Sequence, residues 1–416
     1  MSRRALLGAD REAIASMDDS RDALNETSIL REARARAGLE DFGEQDFREP
    51  MRVLLQSLDE EACLTQAGRA AQRERIVGLL VGRLRTRDWL MRHPEILDER
   101  IAVRFVVVGF PRTGTTLLQR LLASDPRATS LKWWECRNPA PFPDWSPAEA
   151  SRVRDPRIAD AEEQIRVMLE HNPDLASVHP LEAEASDEDV MLLEHAFQSS
   201  TPAGFAHVPS YLRWHLEQDG RPAYRDHKRF LQFLQWQKRQ RGEAIGGWVL
   251  KAPHHMIHLD LVFEHYPGAT IVQTHRDPLE TLPSLASMSL ELRRLASDSA
   301  DPLAAASYAL LTARYRLDRL QKVRRTMAED RFVDVWFRDV VSDPLAEIER
   351  IYARVGFDLP ASARRSMEAW VDSNRRDQRP PHEYTLEEFG FDAERIARDF
   401  AGYRETYVIP RTGGRC

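Results

Sequence analysis

The sequence predicts an α/β fold, a three-layer sandwich with a central parallel sheet of four or five strands, a helical N-terminal cap and helical insertions. Three observations lead there. The apolar run Phe105-Val106-Val107-Val108 reads as a strand buried on both faces, the habit of parallel sheets. A loop bounded by Gly109 and Gly114 follows it, and Leu117, Leu118, Leu121 and Leu122 then share one helical face. Two further strand-like runs, Gly247–Lys251 and Ala269–Thr274, enclose a helical pattern carrying Ile257, Leu261 and Val262, which makes a βαβ unit.

Taken in order, residues 1–100 are rich in Arg, Glu, Ala and Leu and poor in β-branched runs, with Val77, Leu80, Val81 and Leu84 on one stripe, so they are expected to form a helical cap. Residues 101–416 are expected to form the α/β domain. Its first strand is Arg104–Gly109 and a second, shorter one Ala128–Trp133. The prolines from Asn138 to Pro147 exclude helix over most of that stretch and suit a pocket wall. A mostly helical insertion at about 150–240 includes Tyr224–Arg239, whose aromatic residues read as packing in a helical layer. After the βαβ unit, a last strand at Phe332–Phe337 precedes a helix from Pro344 to Val355, and the tail mixes helix with a basic loop, Asn374–Pro381.

Composition narrows the function. The 416-residue chain is 42% hydrophobic and 30% charged, in the range of globular proteins, with a net charge of −7 from 59 basic and 66 acidic residues. A chain of that balance has no global basic field, so nucleic acid is not an expected partner and any anion must be caught locally. Cys63, Cys136 and Cys416 are far apart and unpatterned, which argues against a disulfide framework or a zinc cluster and fits a cytoplasmic protein. The amino terminus reaches acidic residues before any long apolar stretch, so neither a signal peptide nor a transmembrane segment is expected.

The loop Gly109-Phe110-Pro111-Arg112-Thr113-Gly114-Thr115-Thr116 makes the fold P-loop-like. Its glycines have the spacing that lets backbone N–H groups surround a phosphate at the positive end of a helix. Thr115 stands where an ATP-binding loop carries lysine, so the clamp for β- and γ-phosphates is missing. Arg112 supplies a cation from within the loop, and Thr115 and Thr116 supply hydroxyls, a set suited to a short 5′-anionic group. A second anion site is expected at Arg276-Asp277-Pro278, where a strand meets a helix at the ligand-binding edge of a parallel sheet, with Ser284 about two turns into that helix.

With both pieces in view the chain resembles the sulfotransferases that use 3′-phosphoadenosine 5′-phosphosulfate (PAPS), in particular a bacterial branch with Pro-Arg-[Ser/Thr]-Gly-Thr-Thr loops. Gly109–Thr116 looks like the family's 5′-phosphosulfate loop, and Arg276 with Ser284 has the separation of its 3′-phosphate pair. Val249–His255 is similar to the branch's Leu-Lys-x-Pro-x-His segment, Asp339–Pro344 to its Asp-Leu-x-x-Asp-Pro segment, and His382-Glu383-Tyr384 to its late His-x-Tyr. The chain departs from cytosolic animal members in carrying Arg112 where they have lysine, a fork that holds two oxygens but gives up no proton. It also lacks their glycine-rich signature completing the 3′-phosphate site, a part that Arg375, Arg376 or Arg379 would take.

The resemblance implies sulfuryl transfer from PAPS, a co-substrate, to a hydroxyl of a small molecule or lipid, without a metal. Pro111, Arg112, Thr113, Gly114, Thr115, Thr116, Arg276 and Ser284 would bind the nucleotide. Arg112 and Lys251 would stabilise charge, and Glu135 or the histidines His254 and His255 would take the acceptor's proton, Glu135 being preferred from its expected place at the end of the second strand. The acidic stretch His179–Asp189 reads as a solvated face or helix start. An ATP-dependent small-molecule kinase and a non-catalytic nucleotide-binding protein are the competing readings, and a homo-oligomer is left open.

Overall fold

The computed structural model describes residues 24–150, 152–171, 181–374 and 384–412. Five strands, β1 (Val103–Gly109), β2 (Ala128–Ser130), β3 (Gly247–Lys251), β4 (Thr270–His275) and β5 (Phe332–Trp336), form one parallel sheet in the order β2-β3-β1-β4-β5. β1 is central, with Val106 opposite both Leu250 and Ile271. Side chains alternate between the two faces of a strand, and the core divides accordingly. Phe105, Val107, Val249, Val272 and Val333 pack with Leu118, Leu121, Ile348, Ile351 and Met367 from the helices Thr115–Ala123, Pro344–Arg354 and Ala361–Ser373. Val106, Val108, Leu250 and Ile271 pack on the opposite face with Leu231, Leu234, Leu261, Leu317 and Leu320. Two covered faces explain why the central strands read as unbroken apolar runs.

The N-terminal helices Glu26–Ala37, Arg48–Glu60 and Gln66–Arg92 join that second core rather than forming one of their own: Val77, Leu80 and Leu84 are fully buried in the cluster that holds Val106. Arg83 pins them to the insertion, donating to Asp226 at 2.7 Å and to the carbonyls of Phe42 and Glu44 at 2.9 Å. The insertion is helical at Pro156–His171, Val190–Glu194, Thr201–Phe205, Pro209–Glu217 and Arg221–Gln240. Among the described residues no helix is long and apolar enough to cross a membrane.

Two elements differ from the sequence reading. The second strand stops at Ser130, and Trp133–Arg137 is a short helix. β2 is a sheet edge pairing only with β3, and Glu135 folds back to accept the Lys132 N–H at 3.0 Å, a cap that starts a helix. Between β3 and β4, a 3-10 turn at Pro253–Met256 precedes a helix limited to Leu259–His265.

Candidate functional site

The loop between β1 and the Thr115–Ala123 helix is held by its own side chains. Thr113 is fully buried; its hydroxyl donates to the Phe110 carbonyl at 2.6 Å and touches Thr274 Oγ1 at 2.5 Å, across to β4. That single proton is spent on loop shape, so Thr113 can offer an anion its backbone N–H but not its side chain. Gly109 has φ +152°, and a Cβ there would fall inside the van der Waals shell of Thr274 Oγ1 and 2.9 Å from Thr113 Oγ1. Gly109→Ala is therefore expected to lower stability by about 1–3 kcal/mol, measured by denaturant unfolding. Arg112 and Gly114 both take positive φ, 71° and 84°, and a Cβ on Gly114 would stand 3.2 Å from Phe337. Alternating backbone of this kind turns successive N–H groups toward one concavity, and only Gly114 adopts its conformation without strain.

The two segments expected to bind anions meet. Arg112 Nε donates to Ser284 Oγ at 3.1 Å, and Arg276 Nη1 donates to the Arg112 carbonyl at 2.9 Å. Asp277 caps the helix Pro278–Arg294 by accepting the Leu279 N–H at 3.0 Å, which sets Arg276 at the entrance and Ser284 inside. Arg276 is steadied by Glu280 at 2.9 Å and lies over the Phe337 ring, 4.2 Å from its centroid. Pro111 is half-buried in the loop and Thr115 is buried at the start of its helix.

A third group reaches the loop from β3. Lys251 is 1% exposed, and its ammonium donates to Thr116 Oγ1 at 3.1 Å and pairs with Glu188. The Lys251 N–H donates to Asp189 Oδ1 at 2.8 Å. Asp189 Oδ2 accepts from His255 Nε2 at 2.7 Å and His227 Nε2 at 2.9 Å, while Tyr224 and Tyr266 contact the Nδ1 atoms of those histidines at 2.7 and 2.8 Å. An ionised carboxylate accepts only, so Nε2 carries the proton in both rings and each Nδ1 takes the tyrosine O–H. Burial alone would raise the Asp189 carboxyl, but His255 and His227 beside it bring it well below the carboxylate range. Burial holds His227 below the usual histidine range.

The acidic stretch divides. Glu182 and Glu184 are exposed, as expected of a solvated face, whereas Asp187 and Asp189 are buried, Glu188 faces Lys251, and Asp189 is the N-cap of the Val190–Glu194 helix, the helix start also expected; His179 and Pro180 lie outside the described residues. The usable signal was the run Asp187-Glu188-Asp189 passing straight into Val190-Met191-Leu192-Leu193, which would bury the carboxylates with the helix they start.

The sequence candidates for a base are all buried. Glu135 belongs to the short helix, is fully buried, and is held by Lys238 Nζ at 2.7 and 2.8 Å and Arg241 Nη2 at 2.7 Å. Burial alone would raise its carboxyl, but those two cations bring it down to about 2. His255 is fully enclosed with both ring nitrogens engaged. His254 is buried against His215, and burial with the neighbouring His215 lowers it well below the histidine range. Arg375, Arg376, Arg379, His382 and Glu383 lie outside the described residues. Asp343 serves as the cap of the Pro344–Arg354 helix. Phe142 and Trp145, with Trp89 and Trp236, line a separate open cavity of about 840 Å³, whereas Trp134 packs under Arg157, whose guanidinium sits 4.6 Å from the ring centroid.

A five-stranded parallel sheet with a glycine-bounded loop after its central strand, joined to an arginine at the end of the adjacent strand, defines a protein of the α/β class. Residues 104–361 match the model described as the sulfotransferase family, and the chain belongs to that family. The omega-hydroxy-beta-dihydromenaquinone-9 sulfotransferase Stf3 of Mycobacterium bovis is 28% identical over 262 residues, 60% of this chain and 62% of that protein. The match thus spans less than two thirds of that relative's length. Among solved structures, the sulfotransferase STF1 from Mycobacterium tuberculosis is 31% identical with a TM-score of 0.78, covering 91% of this chain and 98% of its own. STF9 from Mycobacterium avium is 27% identical with a TM-score of 0.81, over 92% and 96%.

Proposed function

We propose that the protein transfers the sulfuryl group of PAPS to a hydroxyl of a small molecule or lipid. The observation that carries this reading is the Arg112 bridge: one residue joins the loop after β1 through its backbone to Arg276 and through its guanidinium to Ser284. A nucleotide with anions at both its 3′ and 5′ positions matches a site whose two cationic segments are in contact, and a triphosphate does not. Backbone N–H groups of residues 112–116 would hold the 5′ end, and Arg276 with Ser284 the 3′-phosphate. Because sulfuryl transfer leaves charge on the departing phosphate, fixed donors aimed there lower the barrier, and Lys251 beside Thr116 is placed to serve with Arg112. The Stf3 relative, by its name, acts on a hydroxylated menaquinone, which favours a lipophilic alcohol as acceptor here.

Titration calorimetry tests the nucleotide assignment. Adenosine 3′,5′-bisphosphate is expected to bind more tightly than AMP or ATP, and Arg276→Ala to weaken the bisphosphate by roughly 10- to 100-fold, the worth of one charge-assisted contact, with AMP unaffected. A preference for ATP would instead indicate a kinase. Transfer of radiolabelled sulfate from PAPS into a metabolite extract would then identify the acceptor.

A further inference from the structure

We propose that Glu188 is the general base, the group that accepts the acceptor's hydroxyl proton; this rests on the sulfuryl-transfer reading of the same site. Its carboxylate pairs with the ammonium of Lys251, which also binds Thr116 of the anion loop, so a single lysine connects it to the place where the transferring group would sit. The position is fixed from both sides. The Glu188 N–H donates to Asp187 Oδ1 at 2.6 Å, and the adjoining Asp189 holds the Lys251 backbone at 2.8 Å. Glu188 keeps 24% of its side-chain surface exposed, whereas Glu135 and His255 have none, so an acceptor can reach it.

In the step, the acceptor oxygen bonds to sulfur as its proton passes to a Glu188 carboxylate oxygen. The S–O bond to the 5′-phosphate breaks, and its electron pair leaves with adenosine 3′,5′-bisphosphate, where Lys251 and Arg112 meet the new charge. Glu188 then returns the proton to water. Sulfate ester, bisphosphate and one proton balance the reaction, and no metal or redox partner enters it.

A base matters in proportion to how firmly the acceptor holds its proton, and that gives a readout a structural residue would not move. Glu188→Gln keeps the size and a hydrogen bond to Lys251 but cannot take a proton. With an aliphatic alcohol, kcat is expected to fall by about a hundredfold or more, with bisphosphate binding retained. Across phenols of increasing acidity the deficit should shrink, vanishing for a nitrophenol already ionised at the assay pH. Glu188→Asp, with its carboxylate withdrawn by one methylene, should keep part of the activity. An equal deficit at every acidity, or full activity with the alcohol, would overturn the assignment of the base. Wild-type protein that binds the bisphosphate but sulfates no acceptor would overturn the transfer reading itself.

Discussion

Arg112→Ala is expected to lower kcat/KM for PAPS by about a thousandfold, the upper end for removing one donor aimed at transition-state charge. The size follows from Arg112 serving two ends of the site. Its carbonyl accepts from Arg276 and its Nε donates to Ser284, so truncation removes the loop's cation and frees Ser284 together. Backbone strain adds to the argument: arginine is held at φ 71°, which costs about 1–3 kcal/mol and persists only where surrounding contacts enforce it. Arg112→Lys should recover the charge but not the fork, because an ammonium is a point donor that cannot hold a serine and two anionic oxygens in one plane. Initial-rate kinetics in PAPS for the three proteins check the order arginine, lysine, alanine. A lysine variant equal to the parent would show that charge alone suffices.

Glu135→Gln is expected to cost about 3–5 kcal/mol of stability at neutral pH, because it leaves Lys238 and Arg241 buried without their counter-charge. The sign with pH is fixed by the depressed carboxyl. A group at about 2 in the folded chain and 4.5 in the unfolded one stabilises fully above the higher value and loses that contribution as pH falls through the window between them. The difference between parent and variant, read from denaturant unfolding at a series of pH values, should therefore be constant near neutrality and narrow below about 4.5. A variant of unchanged stability and lost turnover would restore Glu135 as a reacting group.

What the sequence showed, and what it did not, divides by chain separation. The anion loop, its flanking strand and helix, and the Arg276–Ser284 pair each lie within one short stretch, where glycine spacing and apolar period are direct signals. Contacts spanning the chain were silent. Glu188 meets Lys251 across 63 positions and Glu135 meets Lys238 across 103. Nothing in the run Asp187-Glu188-Asp189 says that a lysine and two histidines stand opposite. The placing of Glu135 at the end of a strand has a different cause: aromatic residues at 133 and 134 favour strand locally, and the local carboxylate cap on Lys132, with an edge strand of only three residues, makes a helix there instead.

Asp189 carries a consequence for how such a protein can diversify. One carboxylate from the inserted segment grips the backbone of the β3 lysine and two imidazoles, one of them on the Arg221–Gln240 helix. The inserted segment is therefore also a splint for the β3 lysine. Grafting that segment from a homologue would be expected to misalign Lys251 unless this aspartate travelled with it.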